Sequence, residues 1–425
     1  MKIAIVGTGI AGNVAAHHLH REHDITVFEA GSHVGGHTHT HDIEIAGKTY
    51  AVDTGFIVFN DWTYPNFIRL LDELGVPSRP SSMSFSVRVD GRDLEYNGTS
   101  LNSLFAQRRN LLRPSFHRMI REILRFNREA PRLLEGDDDS LTLGEYLRAG
   151  RYSREFVDHY LVPMGAAIWS TDPQAMLLFP ARYLVRFFHN HGMLSVDDRP
   201  LWRVVQGGSR EYVKRLTAPF RHRIRLDTPV TAIRRLPSHV EIETEDSPPQ
   251  RFDAVFIAAH SDQALRLLAD PTPLEREVLG AIPYQENEVV LHTDTRLLPK
   301  RKLAWAAWNY HVPAQPAERV AVTYNMNILQ GIEAPVTFCV TLNRTGDIDP
   351  GKILKRLTYH HPLFTRAGVA AQRRQGEVNG ANRTFYCGAY WRFGFHEDGV
   401  VSALAALEHF REWERYAQLP LRRVG

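Results

Sequence analysis

The sequence predicts an α/β protein with a parallel sheet and a second, inserted α+β domain. Three observations predict it. An apolar run, a G-x-G-x-x-G turn, a helix-compatible stretch and a second apolar run ending on an acid follow one another within the first 29 residues. Residues from about 62 to 203 read as mainly helical, whereas 281 to 345 read as short β-runs between turns. At 425 residues the chain is long enough for about two domains. The first domain is Rossmann-like, because its opening unit is a βαβ of the nucleotide-binding kind.

Lys2 to Val6 form an apolar run suited to a buried parallel strand. GTGIAG follows, placing Gly7, Gly9 and Gly12 at motif spacing. Gly7 permits the tight turn, Gly9 lets a pyrophosphate reach the backbone, and Gly12 lets helix and strand pack closely. Asn13 to His20 continue as a helix whose N-terminus offers free N–H groups to phosphate. Ile25 to Phe28 form the second strand, ending at Glu29, 22 residues after Gly7. There a carboxylate accepts hydrogen bonds from ribose hydroxyls and repels a 2′-phosphate, which argues against NADP.

The next segments favour FAD over NAD. An NAD-binding unit would continue into another helix and strand. This chain instead inserts the Gly35–Gly36 doublet and a polar-glycine turn at Asp53 and Gly55. Glycine pairs let backbone amides approach an anion or a flat ring. In the inserted region, Thr142 and Glu145 form a capping-box pattern. Between Pro114 and Leu134, Phe116, Ile120, Ile123 and Leu124 can share a helical face. Arg118, Arg121, Arg125, Arg128 and Arg132 form a basic stripe on another, either a solvated face or a seat for anionic lipid headgroups. Near the C-terminus, Phe385 to Cys387 read as a strand, Gly388 as a turn and Val400 onward as a helix. Gly399 is expected at that helix's N-terminus, where N–H groups stabilise charge on a reduced flavin.

The motifs GTGIAG, VGGHT, VDTGFIVFN, TYPN, MSFSV, AIWS, AAWN and, most specifically, CGAYWRFGFHEDG resemble the FAD-dependent amine oxidase and phytoene desaturase superfamily. Within it the chain is most similar to flavoproteins found with, and in plants fused to, cyclopropane-fatty-acid synthases. The resemblance implies an FAD domain built from 1–61, 204–280 and 376–425, with 62–203 and 281–375 forming the substrate domain. It implies cofactor contacts at Gly7, Gly9, Ile10, Ala11, Gly12, Glu29 and Ala30, then at Gly35, Gly36, His37, Thr38, Gly55 and Phe56. Val230 is the expected adenine contact, and Gly388, Ala389, Glu397, Asp398 and Gly399 the expected flavin contacts. The sequence departs from the superfamily pattern in three places. His37 stands where arginine is common and Ala389 where an acid is common, and no lysine matches the one many amine oxidases place near the flavin.

A hydrophobic substrate pocket is expected from Trp169, Trp305, Trp308, Asn309 and Tyr324. His396, His260 and His292 are the candidate bases, because neutral histidine accepts a proton near pH 7. The leading expectation is an FAD-dependent dehydrogenase or desaturase acting on a lipid acyl chain. The alternatives are a flavin amine oxidase and a non-catalytic FAD-binding partner of a lipid methyltransferase.

The 51 basic and 48 acidic residues nearly balance, so charge gives no reason to expect nucleic acid. No zinc-ligand spacing occurs, so no metal is expected. Two cysteines, Cys339 and Cys387, give no disulfide framework and fit a reducing compartment. Cys387 reads as a buried structural residue rather than a flavin attachment point. The glycine-broken start lacks signal-peptide features, and no run of 18 apolar residues occurs. The expected location is cytoplasmic, with peripheral contact at the inner membrane face left open.

Overall fold

The computed structural model describes residues 1–314 and 319–417, and the statements below concern these. The last residues of the expected segment 376–425 therefore lie outside the described residues.

Five parallel strands form the nucleotide-binding sheet, in the order Ile224–Arg225, Asp24–Phe28, Lys2–Val6, Ala254–Ile257, Thr384–Tyr386. Its strands read as near-continuous apolar runs because both faces are covered. Ile3, Ile5 and Val27 pack against the helices Ile10–Leu19, Arg210–Thr217 and His396–Ala417. Ala4, Val6 and Phe28 pack instead against an antiparallel three-stranded meander (Val230–Arg235, Val240–Thr244, Ser247–Phe252) and the helix Pro273–Gly280.

A seven-stranded mixed sheet forms the second layer. Its order is Ile353–Pro362, Tyr284–His292, Cys339–Leu342, Val322–Asn325, Trp308–Val312, Phe85–Val89, Leu94–Asn97. The last two strands come from the stretch expected to be mainly helical. Phe85–Val89 pairs in parallel with Trp308–Val312, a partner more than 200 residues away. One shared core joins this sheet (Val87, Tyr310, Val322) to the inserted helices (Phe116, Phe156, Leu184).

The expected capping box holds: the Thr142 hydroxyl accepts from Glu145 N–H while the Glu145 carboxylate accepts from Thr142 N–H at 2.8 Å. The helix Pro114–Glu129 buries Phe116, Met119 and Phe126, but Leu124 points outward rather than joining the apolar face. Its basic stripe is partly occupied within the chain. Arg125 lies over the Tyr152 ring at 4.0 Å and donates to Gly150 O, and Arg128 pairs with Glu129.

The two layers are tied at Asp53. Its buried carboxylate accepts from Ser209 N–H and hydroxyl, the Thr40 hydroxyl and Gln330 Nε2. Burial pushes this acid up to about 6. Among the described residues no helix is long and apolar enough to cross a membrane, and no cluster suited to a metal ion occurs.

Candidate functional site

One cavity of about 720 Å³ runs from the glycine turn after Lys2–Val6 to the face of the seven-stranded sheet. It lies off the carboxyl ends of the parallel strands, where open α/β sheets bind ligands.

The glycines of the turn have different tasks. Gly9 caps the helix Ile10–Leu19 with extended backbone (φ −63°, ψ 177°), and a methyl group there would meet nothing within 4 Å. It faces the cavity. Gly12 faces away from the cavity: its Cβ would stand 2.0 Å from Gly7 O, so glycine there lets helix and turn meet. The N–H groups of Ile10 and Ala11, in the helix's first turn, have no intrahelical partner. Both residues line the cavity.

Glu29 closes this end. Its carboxylate accepts from Thr8 N–H (2.9 Å), the Thr8 hydroxyl (2.5 Å) and Gly31 N–H (2.8 Å). Ala30 and Val230 stand beside it on the cavity wall. The Gly35–Gly36 doublet folds back onto the glycine turn, with Gly35 N–H donating to the Thr8 hydroxyl at 3.3 Å. Gly55, in the bend after the strand Lys48–Asp53, lets the chain meet the backbone of His37, whose carbonyl lies where a Cβ would be.

The middle of the cavity is walled by His37, Phe56, Gly388, Ala389 and His396. His37 Nε2 is buried without a partner, a ring nitrogen left for a ligand. The His396 ring stacks on Phe56 (3.6 Å between centroids), and its Nε2 lies 2.6 Å from the Tyr212 hydroxyl. Tyr212 in turn contacts the Thr38 hydroxyl at 2.7 Å. Thr38 therefore braces His396 from behind rather than lining the cavity.

Three residues of the C-terminal motif also differ from expectation. The Glu397 carboxylate accepts from Asn66 N–H and Nδ2 and from Phe67 N–H, so it caps the helix Pro65–Glu73 and faces away from the cavity. Asp398 turns back to accept from Phe395 N–H, and burial pushes it up to about 7. Gly399 N–H already donates to Phe395 O, so it is not free for a flavin. Its missing side chain serves packing instead, because a Cβ would be 2.6 Å from Ile10 Cγ2. Cys387 is fully buried outside the cavity, its thiol pushed up to about 12 by burial.

Of the three candidate bases, two line the cavity. His260 stacks on Tyr284 at 4.1 Å, and burial pushes it down to about 3. Burial likewise holds His396 well below the usual imidazole range. His292 lies elsewhere: its Nε2 meets the Thr341 hydroxyl and its Nδ1 accepts from Asp294 N–H, so both ring nitrogens are spent inside the sheet. The sequence reading missed His361, whose ring lies 5.5 Å from that of His37 and is pushed by burial to about 3. The signal was present, since Leu357, Tyr359 and His361 alternate along one strand face. Thr8 was missed as well.

At the far end the wall is apolar and aromatic. Trp169, Trp308 and Tyr324 line it, with Phe364 and Leu342. Trp308 and Tyr324 meet edge to face at 5.0 Å, and Trp308 Nε1 has no partner. Two expected pocket residues face elsewhere. Trp305 Nε1 donates to Pro299 O, and the Asn309 amide is consumed by Ser86, Ala306 and Thr323 as a clip between strands. Among the described lining residues Glu29 is the one carboxylate, and no lysine is present.

The residues present fit FAD. The open face of Gly9, the unpaired N–H groups behind it, the Glu29 carboxylate and the orphaned His37 nitrogen lie along one continuous cavity.

Comparison with known proteins agrees. A sequence model described as flavin containing amine oxidoreductase matches residues 10–324. Cyclohexylamine oxidase from Brevibacterium oxydans IH-35A superposes with a TM-score of 0.70 at 16% identity, covering 97% of this chain and 99% of that one. The CLA-producing fatty acid isomerase from P. acnes superposes at 0.65 with 17% identity, covering 96% and 98%. Wild-type putrescine oxidase gives 0.64 at 16% identity, covering 97% and 99%. These likenesses establish the fold. No curated protein matched the sequence.

Proposed function

Because the chain belongs to the flavin containing amine oxidoreductase family, and so is an FAD-dependent oxidoreductase, we propose that its substrate is an apolar carbon chain of the acyl type, dehydrogenated at the flavin. FAD, when bound, would accept the hydride, and the proton lost with it would pass to a neutral ring nitrogen of the cavity, for which His37 Nε2 is unpartnered. The chain's own residues do the rest. Glu29 and the Gly7–Gly12 turn bind and orient the cofactor, and the Trp169–Trp308–Tyr324 wall holds the substrate and excludes water. His37 Nε2 is a ring nitrogen free to exchange a hydrogen bond with whatever occupies the middle of the cavity.

The observation that carries this reading is the chemistry of the far wall. An ammonium ion entering it would lose its hydration with no carboxylate to replace it, a cost of several kcal/mol even after relaxation. A hydrocarbon chain instead gains about 25 cal/mol for each Å² removed from water. The buried histidines are neutral and weakly basic, so they add no resident charge. The likeness to a protein named as a fatty acid isomerase supports the reading.

A second reading, oxidation of an amine, is favoured by the family description and by two neighbours named for amine oxidation. It requires the amine to enter unprotonated. The visible spectrum of the anaerobic holoprotein separates the two. Bleaching of the flavin by fatty acids or phospholipids, with putrescine and cyclohexylamine inert, is the expected result. Bleaching by amines alone would overturn the acyl-chain reading.

A further inference from the structure

A second feature of the surface, independent of the chemistry in the cavity, lies around the strand Leu94–Asn97, which links the turn Arg108–Leu112 to the turn Lys302–Ala304. The two are held together through one strand. The buried Glu95 carboxylate accepts from Lys300 N–H (2.8 Å), Arg301 N–H (3.2 Å) and Arg301 Nη1 (3.1 Å). Glu95 N–H donates to Gln107 Oε1 (3.0 Å), and Asn97 Nδ2 donates to Trp305 O (2.9 Å). The side chains of both turns are thereby displayed on one face.

That face combines four outward leucines with a ring of cations. Leu112 is 87% exposed and Leu101 77%, with Leu111 and Leu303 about half exposed. Arg108, Arg109, Lys300 and Lys302 are exposed around them, and Arg113 and Arg301 are half-buried. Two of the six are offset by acids, Arg109 by Asp93 and Arg301 by Glu95, and the other four have no acid within ion-pair distance among the described residues. Single exposed leucines are ordinary on protein surfaces. Four of them among these cations, three on the two turns and Leu101 at the start of the helix Leu101–Leu104, form the amphipathic arrangement that seats in a headgroup layer, with leucines reaching the acyl boundary and cations meeting phosphates.

We propose that this face docks the protein on an anionic lipid surface. The proposal selects anionic lipid because it answers both components, the charge and the protruding hydrocarbon. It also differs from the stripe on the helix Pro114–Glu129, whose one exposed large apolar side chain is Leu124.

The test is co-sedimentation of the FAD-loaded protein with vesicles of phosphatidylcholine alone and of phosphatidylcholine mixed with phosphatidylglycerol. Binding to the mixed vesicles only is expected. Arg108→Gln with Arg109→Gln weakens it about 25-fold, roughly fivefold for each charge. Leu111→Ser with Leu112→Ser weakens it by about tenfold or more. Flavin content and melting temperature stay at the wild-type level in both pairs, because these side chains are outside the core. Arg128→Gln with Arg132→Gln leaves binding nearly unchanged. Equal binding to neutral vesicles, no binding to either, or wild-type binding by both variant pairs would overturn the proposal. So would a surface that binds an acidic soluble protein but no vesicle.

Discussion

Two glycines three residues apart in one motif are expected to fail in opposite ways when replaced by alanine. At Gly12 the new methyl group would stand 2.0 Å from Gly7 O and 3.1 Å from Ala258 Cβ. A carbon and a carbonyl oxygen need about 1 Å more, so the helix Ile10–Leu19 must move off the sheet. Overpacking of this kind costs about 1–3 kcal/mol. At Gly9 the backbone is already extended, and the methyl group would meet open cavity. Gly9→Ala is therefore neutral for the apoprotein or stabilises it by about 0.4–1 kcal/mol, through the unfolded chain. Its cost falls on the cofactor. The methyl holds phosphate away from the N–H groups of the helix, and losing one hydrogen bond to a charged group removes about 1.5–3 kcal/mol. FAD binding should weaken by roughly ten- to a hundredfold. The assay is thermal melting of both apoproteins together with FAD titration by flavin fluorescence. Gly12→Ala should melt several degrees lower, while Gly9→Ala melts as wild type and binds FAD poorly. The reasoning fails if Gly9→Ala melts with Gly12→Ala, or if it binds FAD at wild-type affinity.

Glu29→Gln should weaken FAD at least about tenfold, since it removes a charged acceptor and turns an amide toward Thr8 N–H; riboflavin, which has no adenosine, should bind as before, and equal loss of both would refute the assignment. Asp398 binds its proton more tightly folded (about 7) than unfolded (3.8), so it destabilises the fold progressively as pH rises between those values, by about 1.4 kcal/mol per pH unit at most. Apoprotein Asp398→Asn should gain on wild type from pH 4 to 7 in denaturant melts and hold that gain above; a constant difference would contradict it. His260 works in the other direction: its folded value near 3 lies below the unfolded 6.5, so stability present above pH 6.5 drains away as pH falls toward 3. His260→Gln should shift the acid-unfolding midpoint downward, as followed by circular dichroism, and an unmoved midpoint would count against a neutral buried ring.

The opening βαβ unit could be read because its constraints are contiguous: strand, tight turn, helix start and terminal acid succeed one another within 29 residues. The C-terminal segment was legible as strand, turn and helix for the same reason. What could not be read was direction. Trp305 and Trp308 are three apart in one aromatic run, yet one indole donates to Pro299 O and the other faces the cavity. Glu397 sits in the most specific motif of the chain, but its carboxylate is claimed by the helix Pro65–Glu73, more than 300 residues earlier. The strand Phe85–Val89 was hidden in a helical neighbourhood because its pairing partner is Trp308–Val312. Local pattern specifies an element, whereas the surface it turns toward is decided by chain that is distant in sequence.

The parallel sheet places Lys2–Val6 beside Ala254–Ile257 and completes its far edge with Thr384–Tyr386, while the helix from His396 seals the cavity against Ile10. During synthesis the glycine turn leaves the ribosome more than 350 residues before the wall that would close over a bound flavin. A nascent chain thus carries the phosphate end of its site long before it can retain the cofactor. Flavin capture should be a late event, and chains stalled before residue 384 should emerge empty whatever the supply of FAD.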